Sequence, residues 1–186
     1  MDKVVISAQQ LLEDSFKLGG MVLKSGFKPT MIIAIWRGGT PVGMAVQEIL
    51  GYFGVKSDHI AIRTSAYSGV DERKTAVSVH GLNYIVNKIT REDRLLIVDD
   101  VFDSGATIVA VVEELKRRAR DNLPEEVRVA VPWFKPSRNE TDMVPDYWVH
   151  ESADWLVFPH ELDALTPEEL ARERPEVHAA ISAARG

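Results

Sequence analysis

The chain contains no cysteine, and its 186 residues include no long uninterrupted apolar run. The missing cysteines exclude disulfides and thiolate metal ligands, and no segment approaches the ~20 apolar residues of a membrane-spanning helix. Basic residues are also fewer than acidic ones. The chain has 22 lysines and arginines and 28 aspartates and glutamates, which gives a net charge of −6. That balance argues against nucleic-acid binding but is compatible with a local basic site for a phosphorylated small molecule. The N-terminal residues lack the apolar core of a secretion signal, so we expect a cytoplasmic protein without membrane contact.

Apolar strand-like segments alternate with helical patterns along most of the chain. The apolar patterns predict strands at 31–36, 59–64, 75–80, 95–98, 127–134, 147–150 and 155–158. Helical spacing predicts helices over 7–25, after Pro41, from about 106 to 120, and from Thr166. This alternation is typical of an α/β protein with a mostly parallel sheet, and the length favours one domain. The polar interval from Ala66 to Thr75 predicts a mobile loop.

The stretch LLIVDDVFDSGAT, residues 95–107, places three carboxylates between a buried strand and a helix. The small residues from Ser104 to Thr107 open that helix, whose unpaired N–H groups can bind an anion, and Gly105 permits close backbone approach. They predict a phosphate cradle, and it is not a Walker loop because no Gly-Lys-Ser/Thr follows. Asp99 and Asp100 offer only acceptors, so they suit sugar hydroxyls or a hydrated Mg²⁺.

A second unusual loop, Arg37-Gly38-Gly39-Thr40, follows the predicted strand at 31–36. In parallel α/β sheets, ligands bind where the carboxyl ends of the strands meet. We therefore expect this arginine loop to lie beside the acidic stretch at 99–107.

These motifs resemble those of a known enzyme family. VDDVFDSGAT is similar to the signature of type I phosphoribosyltransferases, which use 5-phosphoribosyl 1-pyrophosphate (PRPP). In chain order, IIAIWRGGTPVG resembles the pyrophosphate loop of the purine-salvage branch, the xanthine-guanine and hypoxanthine enzymes. PWFKPSRN resembles its strand-Lys-Pro segment, and ADWLVFPHEL its hood over the base. The resemblance covers about 30–161. It implies a type I phosphoribosyltransferase fold with a mostly parallel central sheet flanked by helices and a small base-binding hood. The helix predicted from Thr166 would form a C-terminal helical tail over 166–186, outside the region of resemblance.

The resemblance also implies roles for individual residues at the sugar and its phosphates. Asp99 and Asp100 would hold the ribose hydroxyls directly or through Mg²⁺, and Asp103 would be the general base near purine N7. The 5-phosphate would bind to Asp103, Ser104, Gly105, Ala106 and Thr107. The pyrophosphate would bind to Arg37, Gly38 and Gly39, and the family has a non-proline cis peptide at the position of Trp36–Arg37.

Further residues are implied at the base, the metal and a lid. Lys135 would donate to the 6-oxo group of the purine, Trp155 would stack on the ring, and Leu156 would contact its edge through backbone groups. Glu161 stands where relatives carry an aspartate that helps to bind Mg²⁺. The segment TSAYSGVDERK falls at the family's flexible lid, and its candidate residues are Ser65, Tyr67, Arg73 and Lys74.

The activity that the resemblance implies is a Mg²⁺-dependent pentosyl transfer from PRPP to hypoxanthine, guanine or xanthine, with release of pyrophosphate. Lys135 and Trp155 favour a 6-oxopurine over adenine or a pyrimidine. Relatives are usually dimers or tetramers, so we expect a homo-oligomer. The alternative is a regulator of the same fold that senses PRPP or nucleotides without catalysis. Asp103 and the net negative charge argue against that alternative.

Overall fold

The computed structural model describes residues 3–68 and 75–184. Its first elements are β1 (Lys3–Val5), α1 (Ala8–Lys24), β2 (Met31–Trp36), α2 (Gly39–Tyr52), β3 (Asp58–Ser68), β4 (Thr75–His80) and α3 (Asn83–Val86). They are followed by β5 (Arg94–Val98), β6 (Val101–Phe102), α4 (Ala106–Ala119), β7 (Glu126–Phe134), β8 (Tyr147–Glu151), β9 (Trp155–Val157), α5 (Pro167–Glu173) and α6 (Pro175–Ala183). Short 3₁₀ turns span Arg120–Asn122 and Pro136–Arg138. Within these described residues, no helix is both long and apolar enough to traverse a bilayer.

Two compact units make up the chain. One is Leu12–Ala153, and the other combines the residues up to Leu11 with those from Asp154 onward. The smaller unit pairs β1 with β9 in parallel, with Val4 opposite Leu156. The expectation of a single domain over 1–186 stays a prediction.

The larger unit contains a seven-stranded sheet in the order β4-β3-β2-β5-β7-β6, with β8 also paired to β7. All pairs are parallel except β3 with β4. The mostly parallel α/β class predicted from the sequence is therefore confirmed. Parallel strands need crossover connections, and the helices between them provide these connections.

Both faces of this sheet are covered by helices, which explains why β2 and β5 are continuously apolar. Met31, Ile33 and Ile35 of β2 join one core cluster with Ile108 and Val111 of α4. The opposite face of β2 contacts α2, since a Cβ atom added to Gly43 would lie 2.8 Å from Ala34 Cβ. The sheet is thus the middle layer of a three-layer sandwich.

The strands β5 and β6 run along the same neighbour, β7, in one register. Val98 is opposite Ala130 and Val101 is opposite Trp133, so the offset is unchanged across Asp99 and Asp100. Pro132 lies on β7 within this gap and has no N–H to donate. The two acids therefore interrupt an otherwise continuous strand, and the sheet opens where they stand.

The sequence-based assignment was wrong at two boundaries, and it missed short strands. The predicted loop from Ala66 to Thr75 is strand at both ends, because β3 continues to Ser68 and pairs antiparallel with β4; residues 69–74 lie outside the described part of the chain. Helix α2 begins at Gly39 rather than at Pro41. The two-residue strand β6 and the strand β1 were not predicted.

The carboxylate of Asp58, at the start of β3, joins that strand to the α3 region. It accepts a hydrogen bond from Tyr84 Oη at 2.7 Å and a charged one from Lys88 Nζ, and these bonds lower the pKa of Asp58 to about 2. A carboxylate whose pKa is depressed on folding stabilises the fold above its unfolded pKa, and this stability is lost as the pH falls through the folded value. We expect Asp58→Asn to lower the free energy of unfolding at pH 7 by about 1 kcal/mol, since the pair is partly exposed.

Urea unfolding at pH 7, 4 and 2.5 measures this effect. The difference between Asp58→Asn and wild type should shrink steadily as the pH approaches 2. Asp121→Asn, at an exposed position on a 3₁₀ turn, is the control and should be neutral throughout. An Asp58→Asn deficit that is the same at pH 2.5 as at pH 7 would contradict the assignment.

Candidate active site

The arginine loop and the acid pair are in direct contact, as the topology predicted. A Cβ atom added to Gly38 would lie 1.7 Å from Asp100 Oδ2, and one added to Gly39 would lie 2.5 Å from the Val98 carbonyl oxygen. Only glycine permits this approach. The Trp36–Arg37 peptide bond is cis, as the resemblance implied, and Thr40 N–H donates to the Arg37 carbonyl at 3.1 Å. The loop thus lies against the interruption between β5 and β6.

The acid pair combines burial with proximity. Asp100 is buried, Asp99 is half-buried, and Asp100 N–H donates to Asp99 Oδ1 at 3.0 Å. Burial, and secondly the neighbouring Asp100 carboxylate, raise the pKa of Asp99 well above its ordinary value, against a hydrogen bond from Gly39 N–H that lowers it. Two carboxylates arranged in this way attract a cation or hydroxyl donors.

The segment after β6 turns sharply into α4. Gly105 has a φ of +81°, a left-handed conformation that suits glycine, and α4 begins at the next residue. Ala106 N–H donates to Ser104 Oγ at 3.3 Å, so the Ser104 hydroxyl proton remains to donate elsewhere. Unpaired N–H groups at the start of a long helix favour an anion. This geometry suits an anion, and the phosphate-cradle role of Ser104 to Thr107 stays a prediction.

The segment 139–141, which was not predicted to belong to the site, packs against the start of α4. A Cβ atom added to Gly105 would lie 2.5 Å from Thr141 Oγ1 and 3.0 Å from Asn139 Oδ1. Glu140 N–H donates to the Ser104 carbonyl at 3.0 Å. In the sequence, only the polar, turn-forming residues directly after PWFKPSR could have indicated that this segment contacts Gly105.

Asp103 lies between two cations. Its Oδ1 accepts from Arg138 Nε at 2.6 Å, and its Oδ2 is 3.3 Å from Lys135 Nζ. Lys135 is buried and Asp103 is partly exposed. The pairing of Phe102 with Phe134 places the two strand ends side by side, so the carboxylate and the ammonium meet. Arg138 was not among the predicted site residues, although it stands three positions after Lys135.

The candidate site therefore contains an arginine loop, two neighbouring aspartates, a helix N-terminus suited to an anion, and an Asp–Lys ion pair. The sequence model of the phosphoribosyl transferase domain matches residues 9–165. The chain belongs to the phosphoribosyltransferase family. The resemblance drawn from the motifs is confirmed at that level.

Solved structures support the same family. A purine phosphoribosyltransferase from Pyrococcus horikoshii is 30% identical, and the match covers 89% of this chain and 99% of that one, with a TM-score of 0.68. A hypothetical protein from Neisseria gonorrhoeae with bound ppGpp is 22% identical, covering 87% and 91%, with a TM-score of 0.69. A xanthine-guanine-hypoxanthine phosphoribosyltransferase from Helicobacter pylori is 19% identical, covering 88% and 96%, with a TM-score of 0.65. The last two show the fold alone. No curated protein sequence gives a significant match.

Three of the predicted site residues of this phosphoribosyltransferase belong to its smaller unit. Trp155 is about half exposed, and Leu156 is buried beside β1. Glu161 Oε2 accepts from Phe158 N–H at 3.0 Å, so this carboxylate closes the turn after β9. The roles of these three residues stay predictions.

The predicted lid residues of the phosphoribosyltransferase are described only in part. Ser65 Oγ lies 3.4 Å from His80 Nε2, across the β3–β4 pair. The side chain of Tyr67 lies outside the described residues, as do Arg73 and Lys74.

The donor set of the phosphoribosyltransferase fits a divalent cation. Asp99 and Asp100 supply hard oxygen ligands, and a bound cation would relieve the charge repulsion that adds to burial in raising the pKa of Asp99. Among the described residues, no group of three or more His, Cys, Asp or Glu side chains converges. Magnesium in phosphate-binding enzymes is commonly held by one or two carboxylates together with substrate phosphates and water.

Asp99→Asn is expected to stabilise the fold at pH 7, by an amount on the order of 1 kcal/mol, while it weakens activity. A carboxylate whose pKa is raised on folding favours the folded state only at low pH, and its ionisation costs stability as the pH rises through the folded pKa. The gain should therefore disappear below the ordinary aspartate pKa of 3.8.

Thermal unfolding across pH 3 to 8 provides the measurement, with Asp121→Asn as the exposed control. A melting temperature for Asp99→Asn below that of wild type at neutral pH would contradict the burial argument.

Proposed function

We propose that the protein is a Mg²⁺-dependent purine phosphoribosyltransferase. It transfers the 5-phosphoribosyl group of PRPP to hypoxanthine, guanine or xanthine, giving the nucleoside monophosphate and pyrophosphate. The Pyrococcus relative, a purine phosphoribosyltransferase, supports the class of base.

The observation that carries the choice of a 6-oxopurine is the 3.3 Å separation between Lys135 Nζ and Asp103 Oδ2. A 6-oxopurine with a proton on N7 presents an acceptor, O6, beside a donor, N7–H. An ammonium beside a carboxylate is the complement of that edge. Adenine presents an amino donor in place of O6, which would oppose the lysine.

The reaction proceeds at C1 of the ribose. The bond from C1 to the pyrophosphate oxygen breaks, purine N9 bonds to C1, and the N7 proton passes to Asp103. An aspartate is a weak base, but the proton of a purine that becomes cationic is acidic, so the transfer is favourable.

The remaining residues bind and orient PRPP. Arg37 presents a planar fork of donors suited to pyrophosphate oxygens, with Gly38 and Gly39 leaving room for the backbone to approach. Ser104, Gly105, Ala106 and Thr107 would seat the 5-phosphate at the start of α4. Asp99 and Asp100 would hold the ribose hydroxyls or Mg²⁺, with Glu161 as a further ligand through water.

Bound Mg²⁺ would neutralise negative charge on the departing pyrophosphate. Trp155 would stack on the base, Leu156 would contact its edge, and Ser65 and Tyr67 would belong to a lid over the pyrophosphate. The homo-oligomer also stays a proposal.

Steady-state turnover with PRPP and Mg²⁺ tests the proposal when hypoxanthine, guanine, xanthine and adenine are supplied separately. We expect nucleotide from at least one 6-oxopurine, with a kcat/KM at least about 100-fold above that for adenine, because one unmatched polar group in a pocket gives discrimination of this size. Preferential use of adenine would overturn the 6-oxopurine assignment. Tight PRPP binding without turnover of any base would instead favour the sensing regulator.

A further inference from the structure

The segment that begins at the last residue of β9 converges on one arginine from the C-terminal tail. We call residues 157–161 the hood loop. Arg174 Nη1 donates to the carbonyls of Pro159 at 3.1 Å and Glu161 at 2.8 Å. Its Nη2 donates to those of Phe158 at 2.9 Å and Val157 at 3.5 Å. Four carbonyls of five successive residues therefore point at a single guanidinium.

The tail holds Arg174 in place through its own folding. Arg174 stands at the junction of α5 and α6, where its N–H donates to the Leu170 carbonyl and its carbonyl accepts from His178. Helix α5 begins with a reciprocal capping box between Thr166 and Glu169. Leu170 is buried.

The N-terminal residues contact both the tail and the strand β9. Glu169 forms an ion pair with Lys3 at 2.7 Å, and Lys3 belongs to β1, which pairs with β9. Ile6 N–H donates to the Val157 carbonyl at 2.9 Å. Both ends of the chain thus fix the segment from Trp155 to Glu161.

The geometry points to Arg174 as a positioning residue for base binding, with the α5–α6 tail as its support. This inference rests on the proposed function, because Trp155 and Leu156, which directly precede the hood loop, are the residues proposed to contact the purine. Arginine suits the task since its planar fork has five donors, whereas lysine has a single ammonium that cannot span four carbonyls. The tail therefore sets the affinity for the base, while the residues proposed to bind PRPP directly lie at 37–39 and 99–107, and Glu161 alone in the hood loop is proposed to reach Mg²⁺, through water.

Arg174→Lys tests this inference by steady-state kinetics. We expect the KM for the 6-oxopurine to rise by about tenfold to a hundredfold, because a small misplacement of a contact residue has effects of that size. The KM for PRPP should stay within about twofold of wild type. Added guanidinium ion should partly restore the base KM of Arg174→Ala. Arg172→Lys is the matched control, since Arg172 lies near the end of α5, two residues before Arg174, is largely exposed and pairs with Glu173.

Amide hydrogen exchange measures the order of the hood loop directly and does not require enzymatic turnover. Arg174→Lys should speed exchange at residues 155–161 and leave residues 99–107 unchanged, and Arg172→Lys should change neither. Equal rises in both KM values, or unchanged exchange in the hood loop, would overturn the inference. If wild type turns over no 6-oxopurine, the proposed function fails, and the exchange experiment still decides whether Arg174 orders the hood loop.

Discussion

Asp103→Asn is expected to lower kcat for nucleotide formation by about 10² to 10⁴-fold, the usual contribution of a general base. Asparagine keeps the shape of the side chain but cannot accept the N7 proton. The substitution also leaves Arg138 and the buried Lys135 without their shared carboxylate, at 2.6 and 3.3 Å. A buried cation without a counter-ion is destabilising, so the loss must be measured at equal folded protein.

Binding of PRPP separates the chemical role of Asp103 from misfolding. The Kd for PRPP, measured by calorimetry, should change far less than kcat. Asp163→Asn, at an exposed position in the smaller unit, serves as the control and should retain full activity. Turnover by Asp103→Asn within about threefold of wild type would remove Asp103 from the catalytic role.

Gly38→Ala is expected to reduce turnover by at least about 100-fold. The new methyl group would lie 1.7 Å from Asp100 Oδ2 and 2.2 Å from Asp100 Cγ, so either the carboxylate or the arginine loop must move. Asp100 is buried, and rotation away from Gly38 would remove it from its place beside Asp99. The substitution therefore disturbs the proposed pyrophosphate and ribose contacts together.

Gly51→Ala is a close control for this prediction. It lies in α2, the helix that Gly38 precedes, and an added Cβ would meet no atom within 4 Å. Alanine is a better helix former than glycine, so this variant should be active and as stable as wild type or slightly more stable. Equal activity of Gly38→Ala and Gly51→Ala would contradict the proposed role of the arginine loop.

The fold was predictable where the pattern of apolar residues is local. The strands β2, β5 and β7 are long apolar segments between turn signals, and their boundaries agree with the prediction to within one residue. The strands β1 and β6 were missed because three-residue and two-residue segments form only through pairing with partners far along the chain. Such pairings leave no periodic signal in the sequence.

The same contrast between local patterns and long-range contacts applies to the residues of the candidate site. The contact between the arginine loop and the acid pair followed from the rule that ligands bind at the carboxyl ends of parallel strands. Arg138 was missed because its bond to Asp103 crosses 35 positions, and a lone arginine after a turn is usually only solvated. Arg174 was missed for a similar reason, since its four acceptors are backbone carbonyls 13 to 17 positions away. Tertiary structure alone brings these groups together.

The proposed transfer at C1 is tested by the yield of pyrophosphate and nucleotide from PRPP and Mg²⁺, measured with and without a 6-oxopurine. If the transfer is as proposed, pyrophosphate appears only when the base is present, and in equal amount to the nucleotide. Pyrophosphate without nucleotide, or no product from hypoxanthine, guanine or xanthine despite PRPP binding, would contradict it.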